Sequence, residues 1–143
     1  MSLLNKCTCY CDDRKECVAE AEGKKYTLYN ESKVVIRKIK VDGCIPQSTH
    51  EKRCDYLMTV ENMRRAIFIE LKGGGLLRAV RQLYSTIIFI KKEVAGYQID
   101  ARIVGNGNVP KLRITPDYRN LAKEVISTNG TIGIRTNFYP ETI

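Results

Sequence analysis

Apolar positions along the chain repeat at two spacings, one typical of strands and one typical of helices. Alternation with a period of two predicts half-buried strands, whereas steps of three and four predict amphipathic helices. The polar stretch at 61–64 fits a hairpin connection between two strands. Strand-like segments lie at 33–41, 52–60, 65–72, 97–104 and 131–135, and 25–29 could form a further short strand.

Helical spacing is clearest just after the glycines at 73–75. A second helix is predicted at 115–127, because Thr115 suits an N-cap and Pro116 the first helical position. A short polar helix is predicted at 13–22, a stretch rich in Glu, Lys and Ala. The first of these helices has an apolar face made of Leu76, Ala79, Val80, Leu83, Tyr84, Ile87 and Ile88, and an opposite polar face made of Arg78, Arg81, Gln82 and Ser85.

The predicted order is helix, three strands, helix, strand, helix and short strand. This order favours an α/β fold with a mixed central sheet flanked by helices. A chain of 143 residues, 43% of them hydrophobic, can form one domain with its own core. Residues 1–24, which are rich in cysteine, are predicted to be loosely ordered.

Charge and hydropathy narrow the class of protein. The formal net charge is +8 and the pI is about 9.2, which favours a polyanionic partner such as nucleic acid, although such a charge also promotes solubility. The longest apolar run, at 87–90, is far shorter than a membrane span. The N-terminus has no signal-peptide pattern, so we expect a soluble, cytoplasmic protein without a membrane partner.

Six cysteines are unevenly placed along the chain. An intracellular location predicts reduced thiols. Four N-terminal thiolates could bind zinc or an iron–sulfur cluster, although their spacing fits neither the paired zinc pattern nor the ferredoxin runs, and free thiols are the favoured alternative. Cys44 and Cys54 are interpreted as small buried hydrophobic residues. The four N-terminal cysteines are Cys7, Cys9, Cys11 and Cys17.

Two acidic residues and a lysine fall on neighbouring strand-like segments. Glu70 and Lys72 point to the same side of a strand, and a hairpin would bring Asp55 alongside them. Two carboxylates close together suit Mg²⁺ or Mn²⁺, and the ammonium group could orient a water or offset charge on a phosphoryl group. The alternative is a solvated sheet edge, because Glu-x-Lys is a common pattern.

Cys54-Asp55, then Glu70-Leu71-Lys72, then an amphipathic helix resemble the PD-(D/E)-x-K nuclease superfamily. Its members include restriction endonucleases, Holliday junction resolvases and recombination exonucleases. The resemblance implies an αβββαβ restriction-endonuclease-like core over roughly residues 13–105, and hydrolysis by in-line attack of water on a phosphodiester. It also implies metal ligation by Asp55 and Glu70 and a catalytic role for Lys72. Cys54 stands where the motif has proline.

Further residues enter through the same resemblance. Many members carry an upstream acidic ligand, for which Glu31 is our choice among Glu16, Glu20, Glu22 and Glu31. Gln82 resembles the extra motif of the recombination-exonuclease branch and would support the catalytic site, or it is an exposed helix residue. Arg78 and Arg81, one helical turn apart, could contact nucleic-acid phosphates or form a solvated face.

The sequence therefore predicts an Mg²⁺-dependent (or Mn²⁺-dependent) endonuclease or exonuclease that acts on DNA and could work as a homodimer. One alternative is an inactive nuclease-like fold that binds nucleic acid or protein. Another is a metal-binding accessory protein organised by the N-terminal cysteines. His50, the single histidine, is interpreted as a loop residue rather than a general base.

Overall fold

The computed structural model describes residues 2–47, 52–71 and 75–143. Lys72 and His50 lie outside the described residues. The described chain forms nine strands and four α-helices, with short 3₁₀ turns at Glu61–Met63 and Lys91–Val94. In chain order these are α1 (Ser2–Lys6), β1 (Thr8–Asp12), β2 (Glu16–Ala21), β3 (Lys24–Tyr29), β4 (Ile36–Lys40), β5 (Tyr56–Val60), β6 (Arg65–Glu70), α2 (Leu76–Ile90), β7 (Gln98–Val104), α3 (Val109–Arg113), α4 (Pro116–Ile126), β8 (Ile132–Arg135) and β9 (Phe138–Thr142).

The central sheet has six strands in the order β1-β4-β5-β6-β7-β8. Neighbours from β1 to β6 are antiparallel, whereas β6, β7 and β8 run parallel. Parallel neighbours need a crossover, which α2 provides between β6 and β7, and α3 with α4 between β7 and β8. The predicted α/β fold with a mixed central sheet is confirmed.

Each face of the central sheet is covered by a different layer. On one face Leu83 and Ile87 of α2 belong to the same buried cluster as Phe68 of β6. The other face carries a second, three-stranded sheet in the order β2-β3-β9, whose Tyr26 clusters with Ile67. Strand β6 is thus buried from both sides, which accounts for its nearly continuous apolar sequence.

The predicted helix at 13–22 is wrong, because this stretch contains strand β2. Cys17 and Ala19 are buried while their neighbours are more exposed, so the burial period is two rather than 3.6. Glu22 and Gly23 then have positive φ values of 51° and 76°, which turn the chain into β3. Burial of two small side chains between the sheets outweighs the helical propensity of the surrounding residues.

The other predicted elements agree with the structure apart from their ends. The predicted strands at 33–41 and 52–60 shorten to β4 and β5, while α2, β7 and β8 match closely. The Thr115 hydroxyl accepts a hydrogen bond from the Tyr118 N–H at 3.2 Å, as an N-cap does. Strands β1 and β9 were not predicted. None of the helices in the described ranges is long and apolar enough to cross a membrane.

The predicted reduced state is wrong for two of the cysteines, because Cys7 and Cys44 form a disulfide. Strand pairing explains their approach, since β1 pairs with β4 and the Lys40 N–H donates to the Cys7 carbonyl oxygen at 2.9 Å. Cys44 is exposed rather than buried, whereas Cys54 is buried as predicted. The remaining N-terminal cysteines do not converge: Cys9 and Cys11 are exposed and Cys17 is buried.

Candidate active site at the carboxyl edge of the sheet

Asp55 and Glu70 lie across from each other at one end of the β5–β6 hairpin. The pairing of Tyr56 with Ile69, continued by one residue, sets these two acidic residues opposite each other. Alternation along the strands turns both toward the face that α2 covers, the face of Leu57 and Phe68. Their exposed fractions are only 7% and 1%. The fold therefore brings two nearly buried carboxyl groups together, as the sequence predicted.

The Asp55 residue joins three segments of the chain. Its Oδ2 atom accepts a hydrogen bond from the Leu71 N–H at 2.8 Å, which ties the start of β5 to the end of β6. Its main-chain oxygen accepts from the Val41 N–H at 3.1 Å, which adds the end of β4. The Leu71 N–H thus orients the carboxylate, and the Val41 N–H holds the backbone that carries it.

A buried contact joins the residue before Asp55 to helix α2. The Cys54 N–H donates to the Thr86 Oγ1 atom at 2.9 Å, and the Thr86 hydroxyl donates to the Gln82 carbonyl oxygen at 2.7 Å. Burial, followed by the nearby charge of Glu70, raises the pKa of the Cys54 thiol well above its ordinary value. Sequence reasoning missed Thr86, although a polar residue in register with the apolar positions of α2 was a usable signal.

Gln82 lies on the buried side of α2, so its predicted place on the polar helix face is wrong. The side chain is 4% exposed and shares its side of the helix with Ala79 and Thr86, which are three and four residues away. The interpretation of Gln82 as an exposed helix residue is therefore excluded. Its burial between helix and sheet is compatible with a supporting role at the acidic pair.

The two arginines of α2 lie on the outer surface of that helix. Arg78 is exposed, and Arg81 forms an ion pair with Asp117 at 3.1 Å. Both partners of this pair are substantially exposed, so the pair adds little stability. The two arginines do not enter the acidic site itself, and any contact that they make with nucleic acid would be with flanking phosphates.

The structure does not bring Glu31 to the acidic pair. Glu31 is exposed just beyond β3 and lines a surface groove with Lys15 and Lys33. Its sheet packs on the face of the central sheet opposite α2, whereas Asp55 and Glu70 face α2. The other upstream candidates, Glu16, Glu20 and Glu22, are exposed on β2 and the turn after it.

The number and type of side chains near Asp55 and Glu70 determine which metal ion could bind there. Among the described residues, no three or more His, Cys, Asp or Glu side chains converge into a metal-binding group. A structural zinc site needs four such ligands, but Mg²⁺ commonly takes one or two carboxylates and keeps its remaining positions for water and phosphate oxygens. Asp55 and Glu70 therefore suit Mg²⁺ or Mn²⁺, whereas in the described residues the four N-terminal cysteines do not converge as zinc ligands.

Fold and site together define a class: an α/β protein with two nearly buried carboxyl groups at the carboxyl edge of a parallel strand pair. Ligands of open α/β sheets bind at this edge. Comparisons with protein-family models, with curated proteins and with solved structures gave no match for this chain.

Proposed function

We propose that this chain is a metal-dependent nuclease that hydrolyses phosphodiester bonds in DNA. The observation that carries the proposal is the opposition of Asp55 and Glu70 across the β5–β6 hairpin, on the side that α2 covers. The order β4-β5-β6, then α2, then the parallel strand β7 agrees with the αβββαβ core of the PD-(D/E)-x-K superfamily from its first strand onward.

Each residue of the proposed site has a distinct task. Asp55 and Glu70 would hold Mg²⁺ or Mn²⁺, which would supply a polarised phosphoryl oxygen and a more acidic bound water. The Leu71 N–H holds the Asp55 carboxylate toward the site. Lys72, two residues after Glu70, would orient the attacking water or offset negative charge on the phosphorus. Gln82 would support this arrangement from α2.

The charge of the chain supports a nucleic-acid substrate, and DNA is the substrate that we propose. A net charge of +8 attracts a polyanion, and contacts from exposed residues such as Arg78 would add affinity without reading sequence. A domain of this size cuts both strands of a duplex most simply as a homodimer, which remains part of the proposal.

The experiment is cleavage of labelled DNA and RNA with Mg²⁺ or Mn²⁺ by the wild type and by Asp55→Asn and Glu70→Gln. Both variants keep the side-chain size, so we expect folded proteins whose cleavage falls to background. Glu20→Gln, an exposed carboxylate on β2, is the matched control and should cleave like the wild type. Cleavage that survives in both site variants would rule out the proposed catalytic pair.

An inactive, nuclease-like binding module is the second candidate. The observation that favours it is the distance in the fold between the acidic pair and every upstream acid considered, since Glu31 and the acids of β2 are exposed on the layer beyond the opposite face of the sheet. Metal-independent DNA binding, equal in wild type and Glu70→Gln, together with no cleavage of any substrate, would select this function instead.

A further inference from the structure

The surface grooves of the described chain differ in the ligand that their charges would favour. One groove combines Lys15 and Lys33 with two glutamates, so its charges balance. Another contains the Arg81–Asp117 ion pair, whose charges satisfy each other. A third, beside Tyr97, lies near the amino end of β7, away from the acidic pair.

A fourth groove lies at the same edge of the sheet as the candidate active site. It has a volume of about 320 Å³ and lies between the start of α2 and the segment that follows β7. We call it the rim groove, and its main lining residues are Leu76, Leu77, Asn106, Asn108, Lys111 and Leu112. Strands β6 and β7 are parallel neighbours with Glu70 paired to Ile103, so the segments that follow them open at the same edge of the sheet.

Close contact between loop and helix forms the floor of the rim groove. A Cβ atom at Gly107 would lie 2.7 Å from the Leu76 Cγ atom, so a side chain there would force Leu76 to shift. The Asn108 side chain accepts a hydrogen bond from the Lys111 N–H at 3.0 Å and so fixes the backbone that carries the lysine. The groove is thus built from held backbone rather than from a loose loop.

The chemistry of the rim groove matches a nucleotide. Leu77 presents an apolar side chain that is 37% exposed, and Asn106 adds an exposed amide. Lys111 is the single charged residue among the described residues that line the groove, so its positive charge faces no lining carboxylate. An apolar surface, an amide and one cation suit a base face, a base edge and a phosphate respectively.

We propose that the rim groove holds the nucleotide next to the scissile phosphate, with its base against Leu77 and its phosphate against Lys111. This inference rests on the proposed function, because the acidic pair defines where the scissile phosphate lies. The groove adds affinity with little dependence on sequence, since every base has an apolar face.

The test is binding of fluorescein-labelled single-stranded DNA, followed by polarisation in Ca²⁺ across a series of salt concentrations. Lys111→Ala should weaken binding by about fivefold and lower the slope of log K against log[salt] by about 0.7, the loss of one phosphate contact on a single strand. Lys123→Ala, an exposed lysine of α4, is the matched control and should leave both quantities unchanged.

A second variant separates base contact from charge. Leu77→Ser should weaken binding of the DNA strand but not of an abasic sugar–phosphate strand of the same length, whereas Lys111→Ala should weaken binding of both. If Lys111→Ala behaves like Lys123→Ala, or if Leu77→Ser affects both strands equally, the rim groove is not the nucleotide site.

The same measurements separate this inference from the proposed nuclease. Binding that depends on Leu77 and Lys111, without any cleavage in Mg²⁺ or Mn²⁺, would support the nucleotide site in the rim groove and refute the proposed nuclease activity. Cleavage that depends on Glu70 but is unchanged in both groove variants would support the nuclease activity and refute the nucleotide site in the rim groove. A wild type that binds no DNA at low salt would overturn both.

Discussion

Replacing Glu141 by glutamine should destabilise the protein in a way that depends on pH. Glu141 of β9 lies between the two sheets, where its oxygens accept hydrogen bonds from Arg102 Nε and Nη2, both at 3.0 Å, and from Arg65 Nη2 at 3.2 Å. The Tyr26 hydroxyl adds a donor at 2.6 Å. The substitution keeps the side-chain shape but removes the charge that both arginines face.

The size of the effect follows from the pKa of Glu141. Burial of the carboxyl group favours protonation, but the hydrogen bonds from Arg102 and Tyr26 and the arginine charges outweigh it and lower the pKa from 4.5 to about 2. The difference between these two pKa values corresponds to at most about 3 kcal/mol in the free energy of unfolding. The side chain is 20% exposed, so screening by solvent reduces the expected contribution to about 2 kcal/mol.

The sign of the pH dependence is fixed by the lowered pKa. The stabilisation by the Glu141 carboxylate is fully present above pH 4.5, which is the pKa in the unfolded chain. It is lost as the pH falls through the pKa of the folded protein, about 2. Urea unfolding at several pH values should therefore show wild type and Glu141→Gln differing by about 2 kcal/mol at pH 7, and this difference should shrink as the pH falls from 4.5 to about 2. Glu20→Gln is the control. A difference below about 0.5 kcal/mol at pH 7, or one independent of pH, would contradict the assignment of stability to this carboxylate.

Three further substitutions test other parts of the fold. Because 37 residues separate Cys7 from Cys44, Cys7→Ser with Cys44→Ser should lower the free energy of unfolding by up to about 4 kcal/mol, and wild type in reductant should match the double variant in urea unfolding. Thr86→Val should cost about 1–3 kcal/mol, since the buried Cys54 N–H loses its acceptor, and Thr86→Ser should restore most of it. A Cβ at Gly130 would lie 1.7 Å from a main-chain oxygen of β7, so Gly130→Ala should lower the melting temperature, and an unchanged value would refute the close contact.

The sequence predicted those elements whose burial is visible in a short window. Helix α2 has one apolar face over 15 residues, and β6 is an apolar run buried on both sides, so local periodicity identifies both. Strand β9 carries Pro140 and Glu141 and lacks a clear alternation. It forms because it pairs in parallel with β3, more than a hundred residues earlier in the chain, and no local pattern encodes such a pairing.

The acidic pair could be predicted because it depends on one hairpin register. Asp55 and Glu70 flank strands joined by a short connection, so alternation and pairing alone bring them together. The Cys7–Cys44 disulfide and the placement of Glu31 depend instead on where the N-terminal strands pack, which spacing in the sequence does not fix. Gln82 was misplaced because a helix buried along a broad face also covers polar residues at its margin.

The central sheet carries acidic groups in two different environments, and the difference argues for where chemistry takes place. Asp100 is fully buried between the sheets, where it accepts hydrogen bonds from the Arg65 Nε atom at 2.6 Å and from the Thr131 N–H at 2.8 Å. Asp55 and Glu70 stand on the other face, at the edge where parallel strands end and ligands of such sheets bind. The buried network therefore contributes to stability, and the pair at the edge of the sheet is where the proposed nuclease would bind its metal ion.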